Sequence, residues 1–322
     1  MSTRLAVLLV HGVESAGDQY ADRAMALIGD EFERIAGVPA SEALVMEPAF
    51  WAPVFEEGQE QLSDRIAGQG SRWLVTMLDK LAAQASQGST LALLAAASTA
   101  GLRWLPGFGD AHFPTLRWLI VHYLGDAVAY HSGTDGTGHY EEVQAILAAS
   151  LHELARKAGP DAPLAVLGHS LGSVVSSDFL YDLQGVPAGT PLSRAARGIL
   201  GDTPLERGET LGWFYTLGSP LALWAQRHPD FGVPLQVPSA SFGAWHPRQR
   251  GEWVNVYDPD DVISSPLRPL SDLWAKAVTE DRRVTVGPWP LGATPLAHPY
   301  YWNDRRVITP IASQLAQAWH RL

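Results

Sequence analysis

Pro163-Leu-Ala-Val-Leu-Gly-His-Ser-Leu-Gly-Ser-Val-Val175 decides the fold. A short apolar run, Pro163–Leu167, reads as a buried strand. Gly168-His169-Ser170-Leu171-Gly172 follows as a G-x-S-x-G turn, and a helix-compatible sequence runs on from about Leu171 to Gln184, with Gly185 as its stop. The two glycines have a steric purpose. A serine projects its hydroxyl from a tight strand-to-helix turn only if the flanking backbone approaches closely, and a Cβ at 168 or 172 would clash. The helix that follows presents its N-terminal amides to developing negative charge. The bland alternative is a glycine-rich βα turn without chemistry, so the rest of the chain has to decide.

Working outward, apolar runs and helical patterns alternate, which is the pattern of a parallel sheet covered by helices. Leu5–Val10 reads as a first buried strand and Ala43–Met46 as a short second one. Between them Tyr20, Ala24, Leu27, Ile28, Phe32 and Ile35 recur at helical spacing from Asp18 to Ala36, before Gly37. Val143, Ile146, Leu147, Leu151 and Leu154 form a second stripe from Tyr140 to Ala158. Strands at Gly212–Leu217 and Trp253–Tyr257 come next, and a last helix is expected from Thr309-Pro310, with Thr as cap and Pro in the first turn. The expected architecture is α/β: a mainly parallel sheet with helices on both faces and the Pro163–Leu167 strand at its centre. Between about 52 and 138 the alternation fails and only helical patterns remain (62–85, 91–105, 116–130). That stretch reads as a helical cap or lid insertion in one domain spanning 1–322.

Composition narrows the partners. With 23 Lys+Arg against 34 Asp+Glu the formal charge is −11, so phosphate backbones repel the chain and nucleic acid is a poor partner. Zero cysteines exclude disulfides, thiolate nucleophiles and Cys-ligated metal. The six-residue run Leu5–Val10 is shorter than the usual signal-peptide core of about 7–15 residues. No stretch reaches the roughly 18 uninterrupted apolar residues of a membrane span. The expectation is a cytoplasmic protein. His122, His131 and His139 lack metal-ligand spacing, and the aspartates at 258, 260 and 261 lack that of an EF-hand, so neither metal nor cofactor is expected.

At these residues the chain resembles the α/β-hydrolase superfamily, in its lipase and esterase branch. The resemblance rests on Val10-His11-Gly12 after the first strand, Gly168-His-Ser-Leu-Gly172, Gly218-Ser-Pro-Leu221, Asp261-Val-Ile after a later strand, and His298 four residues before Trp302. Together these span most of the chain outside 52–138. The chain order it implies is serine, acid, histidine. His228 and His246 precede the Trp253–Tyr257 strand, and His320 is two residues from the end. That leaves His298 as the base to Ser170. Asp261 precedes an apolar pair and is the first choice of acid, Asp260 the second and Asp258, beside Pro259, the third. The resemblance also implies an oxyanion hole of two backbone amides, those of Leu171 and of Val13, with His11-Gly12 as the supporting loop. Ser219 lacks elbow glycines and reads as structural; Trp51 and Trp302 are placed to line a cleft.

The resulting expectation is an esterase-like or lipase-like serine hydrolase acting on a small-molecule or lipid-like ester through an acyl-enzyme on Ser170. Thioesterase, amidase or acyltransferase chemistry on the same residues is the nearer rival, and a non-catalytic peripheral lipid-binding protein the more distant one. Leu91–Leu105 is apolar almost all round. As a helix it needs burial, either inside a static cap or as a lid over Ser170 in transient contact with lipid.

Overall fold

The computed structural model describes residues 4–12, 20–55, 58, 127–130, 139–185, 192–289 and 295–322. The helical patterns expected within 62–126, the apolar stretch 91–105 among them, lie outside the described residues.

Among the described residues six strands form one parallel sheet: β1 (Leu5–Val10), β2 (Leu44–Ala49), β3 (Leu164–His169), β4 (Leu211–Leu217), β5 (Glu252–Tyr257) and β6 (Glu280–Arg283). Their order is β2-β1-β3-β4-β5-β6, and every pairing is parallel. β3 is therefore internal, with β1 on one side and β4 on the other.

Both faces of the sheet are covered, and the strand period shows why. Along β1 all six residues are buried, but alternate ones enter different cores. Ala6, Leu8 and Val10 join the cluster of α2 (His139–Ala158) and α3 (Leu171–Gly185). Leu5, Val7 and Leu9 join that of α1 (Tyr20–Ala36) and α4 (Arg305–Trp319). A strand buried on both faces reads as a continuous apolar run, as Leu5–Val10 does. The helices contribute stripes: Ala24, Ile28 and Phe32 on α1, and Val307, Ile311 and Leu315 on α4, at spacings of four.

Two sequence boundaries need correction and one strand is additional. α4 begins at Arg305, not Thr309. Its cap is Asp304, whose side chain accepts the Arg306 amide at 2.9 Å, and Pro310 lies inside the helix. A proline this close to a helix start removes a single ladder donor, and the buried stripe on either side outweighs that loss. β2 extends to Ala49 through Pro48, which an edge strand tolerates. β6, composed entirely of charged residues, had no apolar signal at all.

The chain leaves β1 toward β2 and returns on the other side to β3. This makes the β1/β3 boundary a topological switch point, where the carboxyl ends of strands open a crevice. β1 delivers His11-Gly12 there, β3 delivers Ser170, β4 Gly218-Ser219, and β5 the loop 258–261. Among the described residues no helix is long and apolar enough to cross a membrane.

Candidate active site

Ser170 sits between β3 and α3 with φ +53°, a conformation non-glycine residues rarely adopt. The strain is held from several sides. The Ser170 amide donates to the Leu217 carbonyl at 2.9 Å, and its own carbonyl accepts the Ser173 amide at 3.0 Å and the Ser173 hydroxyl at 2.5 Å. Ser173 Oγ lies 2.6 Å from Ser219 Oγ, which also accepts the Leu221 amide at 3.2 Å. Ser219 is thus a buried brace behind the turn.

The turn glycines mark close backbone approaches. A Cβ on Gly172 would stand 2.0 Å from the His11 carbonyl oxygen, and one on Gly168 2.7 Å from Ser173 Cα. The end of β1 and the start of α3 therefore touch backbone to backbone.

His298 enters from the 3-10 segment Pro295–Asn303 ahead of α4. Its Nε2 lies 2.8 Å from Ser170 Oγ and its Nδ1 2.7 Å from Asp261 Oδ2. Ser170, His298 and Asp261 are buried, with 1%, 3% and 2% of their surfaces exposed. Burial works against charge on Asp261, yet the facing His298, the Ile263 amide at 3.0 Å from Oδ1 and the Tyr301 hydroxyl hold its carboxyl below the usual range. A carboxylate so held keeps a proton on His298 Nδ1 and leaves Nε2 to accept from the serine.

The three aspartates of the loop divide the work. Asp258 is fully buried but occupied elsewhere, taking the Asp260 amide at 3.0 Å and the Val286 amide at 2.7 Å. Asp260 is exposed. Asp261 is the aspartate whose carboxylate meets His298 Nδ1.

His11 and His169 frame the serine. His11 Nδ1 donates to the Gly12 carbonyl, its Nε2 accepts the Trp51 amide at 3.1 Å, and its ring stacks on the Trp51 indole at 4.7 Å. His169 Nε2 donates to the His298 carbonyl at 3.0 Å, bracing the segment that carries His298. Burial pushes both imidazoles down to about 3, and at His169 the neighbouring His298 adds to the effect. Both are neutral hydrogen-bonding struts at neutral pH.

The tryptophans need a different account from the cleft-lining role expected of them. Trp51 is fully buried, its indole N–H bonded to the His11 carbonyl at 3.0 Å. Trp302 is buried with its ring edge toward His169. Both support the site from behind.

The Leu171 amide belongs to the first turn of α3, where amides have no intrahelical partner. Val13 lies outside the described residues, and Gly12 is the last described residue of its loop. A Cβ on Gly12 would stand 2.5 Å from Ser170 Cβ, so Gly12 packs directly on the serine. Among the described residues no cluster of His, Cys, Asp or Glu could hold a metal ion.

Tyr301 was not anticipated. It lies three residues after His298, and its hydroxyl donates to Asp261 Oδ2 at 3.1 Å. The only sequence signal was its place in the aromatic run Tyr300-Tyr301-Trp302.

Compared with family models, with curated proteins and with solved structures, the chain has no match.

Proposed function

We propose that the chain is a serine hydrolase of the α/β-hydrolase fold that cleaves carboxylic esters. One observation carries the reading: a serine held at φ +53° on a strand-to-helix turn, hydrogen-bonded to an imidazole whose other nitrogen faces a buried carboxylate. Ser170 Oγ attacks the ester carbonyl as its proton passes to His298 Nε2. The tetrahedral oxyanion faces the start of α3 and the Leu171 amide. Collapse expels the alcohol, which takes the proton from Nε2, and leaves the acyl group on Ser170. Water then attacks that acyl group, giving its proton to His298, and the acid departs as Ser170 recovers its own.

Asp261 stays ionised throughout, orienting the ring and stabilising the imidazolium. Burial of all three groups strengthens these electrostatic interactions relative to bulk water.

The test is covalent labelling by a fluorophosphonate probe, expected in the wild-type chain and lost in Ser170→Ala. It is run beside a panel of aryl esters of increasing acyl length with amide and thioester analogues. Ester turnover above the other two classes supports the assignment. Absence of labelling, or labelling that survives Ser170→Ala, overturns it.

A further inference from the structure

We infer that Tyr301 is a positioning residue: its hydroxyl fixes the Asp261 carboxylate against His298 and so sets how readily that histidine takes the serine proton. This rests on the serine-hydrolase reading for its kinetic consequence, but not for its geometry.

The Tyr301 ring is fully buried in the segment that also carries His298. Its hydroxyl accepts the Asp258 amide at 2.8 Å and donates to Asp261 Oδ2 at 3.1 Å, the same oxygen that faces His298 Nδ1. A phenol has one proton. Ser264 Oγ also lies 3.3 Å away, but with the Asp258 amide on its oxygen the phenol gives that proton to the nearer and charged acceptor, the carboxylate. The result is a continuous row: Asp258 N–H to Tyr301 O–H, Tyr301 O–H to Asp261, His298 Nδ1–H to Asp261, and Ser170 O–H to His298 Nε2.

The ring is held as firmly as the hydroxyl. It packs against Gly218, which has φ +56° and where a Cβ would stand 2.8 Å from the ring and 3.2 Å from His298 Cε1. It also faces the His169 ring at 5.6 Å and, edge-on, the His298 ring at 6.1 Å. One side chain therefore ties the acid loop, the base segment and the β4 turn to one another. Burial and the charge of Asp261 push the phenol's ionisation upward, so it remains a donor.

The electrostatic consequence has a definite sign. A donor on Oδ2 spreads the carboxylate's charge and weakens its hold on an imidazolium. Removing the donor makes Asp261 a stronger partner for protonated His298, so protonation persists to higher pH and the acid limb of kcat/KM moves up. Among the described residues, the other titratable groups around this row are Asp258, tied to two backbone amides and facing the charge of Arg306, and His169 and His11, both neutral.

The experiment uses Tyr301→Phe in the full chain, with aryl esters as substrate and thermal melting as the check on folding. The expected result is a kcat lower by about tenfold with KM little changed, because a carboxylate freed from the phenol no longer holds the imidazole in line with Ser170 and that loss outweighs the stronger ion pair, and an acid limb raised by about half a pH unit. In an Asp261→Asn background the same change should have no further effect on kcat.

Because Phe also strips the Asp258 amide of its partner, a second variant keeps the hydroxyl. Site-specific difluorotyrosine at 301 is a stronger donor and should move the limb downward. A third readout needs no turnover: the downfield proton on His298 Nδ1, followed by NMR, should shift in Tyr301→Phe. An unchanged pH limb in both variants, or an unmoved Nδ1 proton, overturns the role of Tyr301. If the wild-type chain takes no probe and cleaves no ester, the hydrolase reading fails and the NMR arm still decides Tyr301.

Discussion

Ser170, His298 and Asp261 differ in what their removal should do, and the difference follows from geometry. On the proposed mechanism Ser170→Ala and His298→Ala each delete a group through which bonds form and break, so turnover should fall by about 10⁴–10⁶ with the fold intact. Asp261→Asn keeps the volume but offers an amide where a carboxylate stood. It should favour the wrong imidazole tautomer and cost about 10³–10⁴-fold in kcat, measured on the same aryl ester. Gly172→Ala is a structural counterpart. Its Cβ would stand 2.0 Å from the His11 carbonyl oxygen, backbone against backbone, with no flexible side chain to yield. Melting should show a loss at or above the upper end of the about 1–3 kcal/mol typical of overpacking.

At the scale of elements, what the sequence disclosed and what it hid have one physical cause. Strands buried on both faces announce themselves as apolar runs, and Leu5–Val10, Leu164–His169 and Leu211–Leu217 were legible for that reason. The edges behave otherwise. β6 is Glu280-Asp-Arg-Arg283, an edge strand whose charges serve local structure. Asp281, for one, takes the amides of Leu267 and Arg268 and the Asn255 side chain. No periodicity marks such a strand. The meeting of Ser170, His298 and Asp261 was legible because each lies just past an apolar strand or in a distinctive proline-flanked loop. Tyr301 was not, because its contact with Asp261 depends on the 3-10 path of 295–303 rather than on any pattern in the residues. The α4 boundary was misplaced because Thr309-Pro310 imitates a helix start, while the real cap, Asp304, precedes two arginines. Asp304 accepts the Arg306 amide at one oxygen and the Gly287 amide, 2.9 Å away, at the other. Asp304→Ala should therefore cost about 1–2 kcal/mol by denaturant melting, toward the high end for a cap because a second amide is orphaned. A loss of a few tenths would mean the cap contributes nothing.

Over the whole molecule, buried imidazoles couple the fold to pH, His11 and His169 most strongly and His246, which burial also pushes down, in the same sense. His11 and His169 are 2% and 6% exposed and neutral, and burial pushes both down to about 3 from the usual value near 6.5. In the unfolded chain both would take a proton as pH falls through about 6.5, whereas the folded chain refuses it until far lower. Between those limits the unfolded state binds more protons, so stability rises with pH and drains away on acidification. Each imidazole contributes a slope of up to about 1.4 kcal/mol per pH unit in that window. Asp261, held below the usual carboxylate range, adds a loss of the same sign, setting in only as pH falls below the ordinary carboxylate value. Melting temperature should consequently fall steeply from about pH 6.5 to pH 4. His169→Asn separates this cause from generic acid unfolding. It removes one titrating strut while leaving an amide for the His298 carbonyl, so the variant should be less stable at pH 8 yet lose stability less steeply below about pH 6.5. Parallel curves for the two proteins would mean that His169 carries its proton in the folded state, and that the strut bracing the His298 loop is an imidazolium instead.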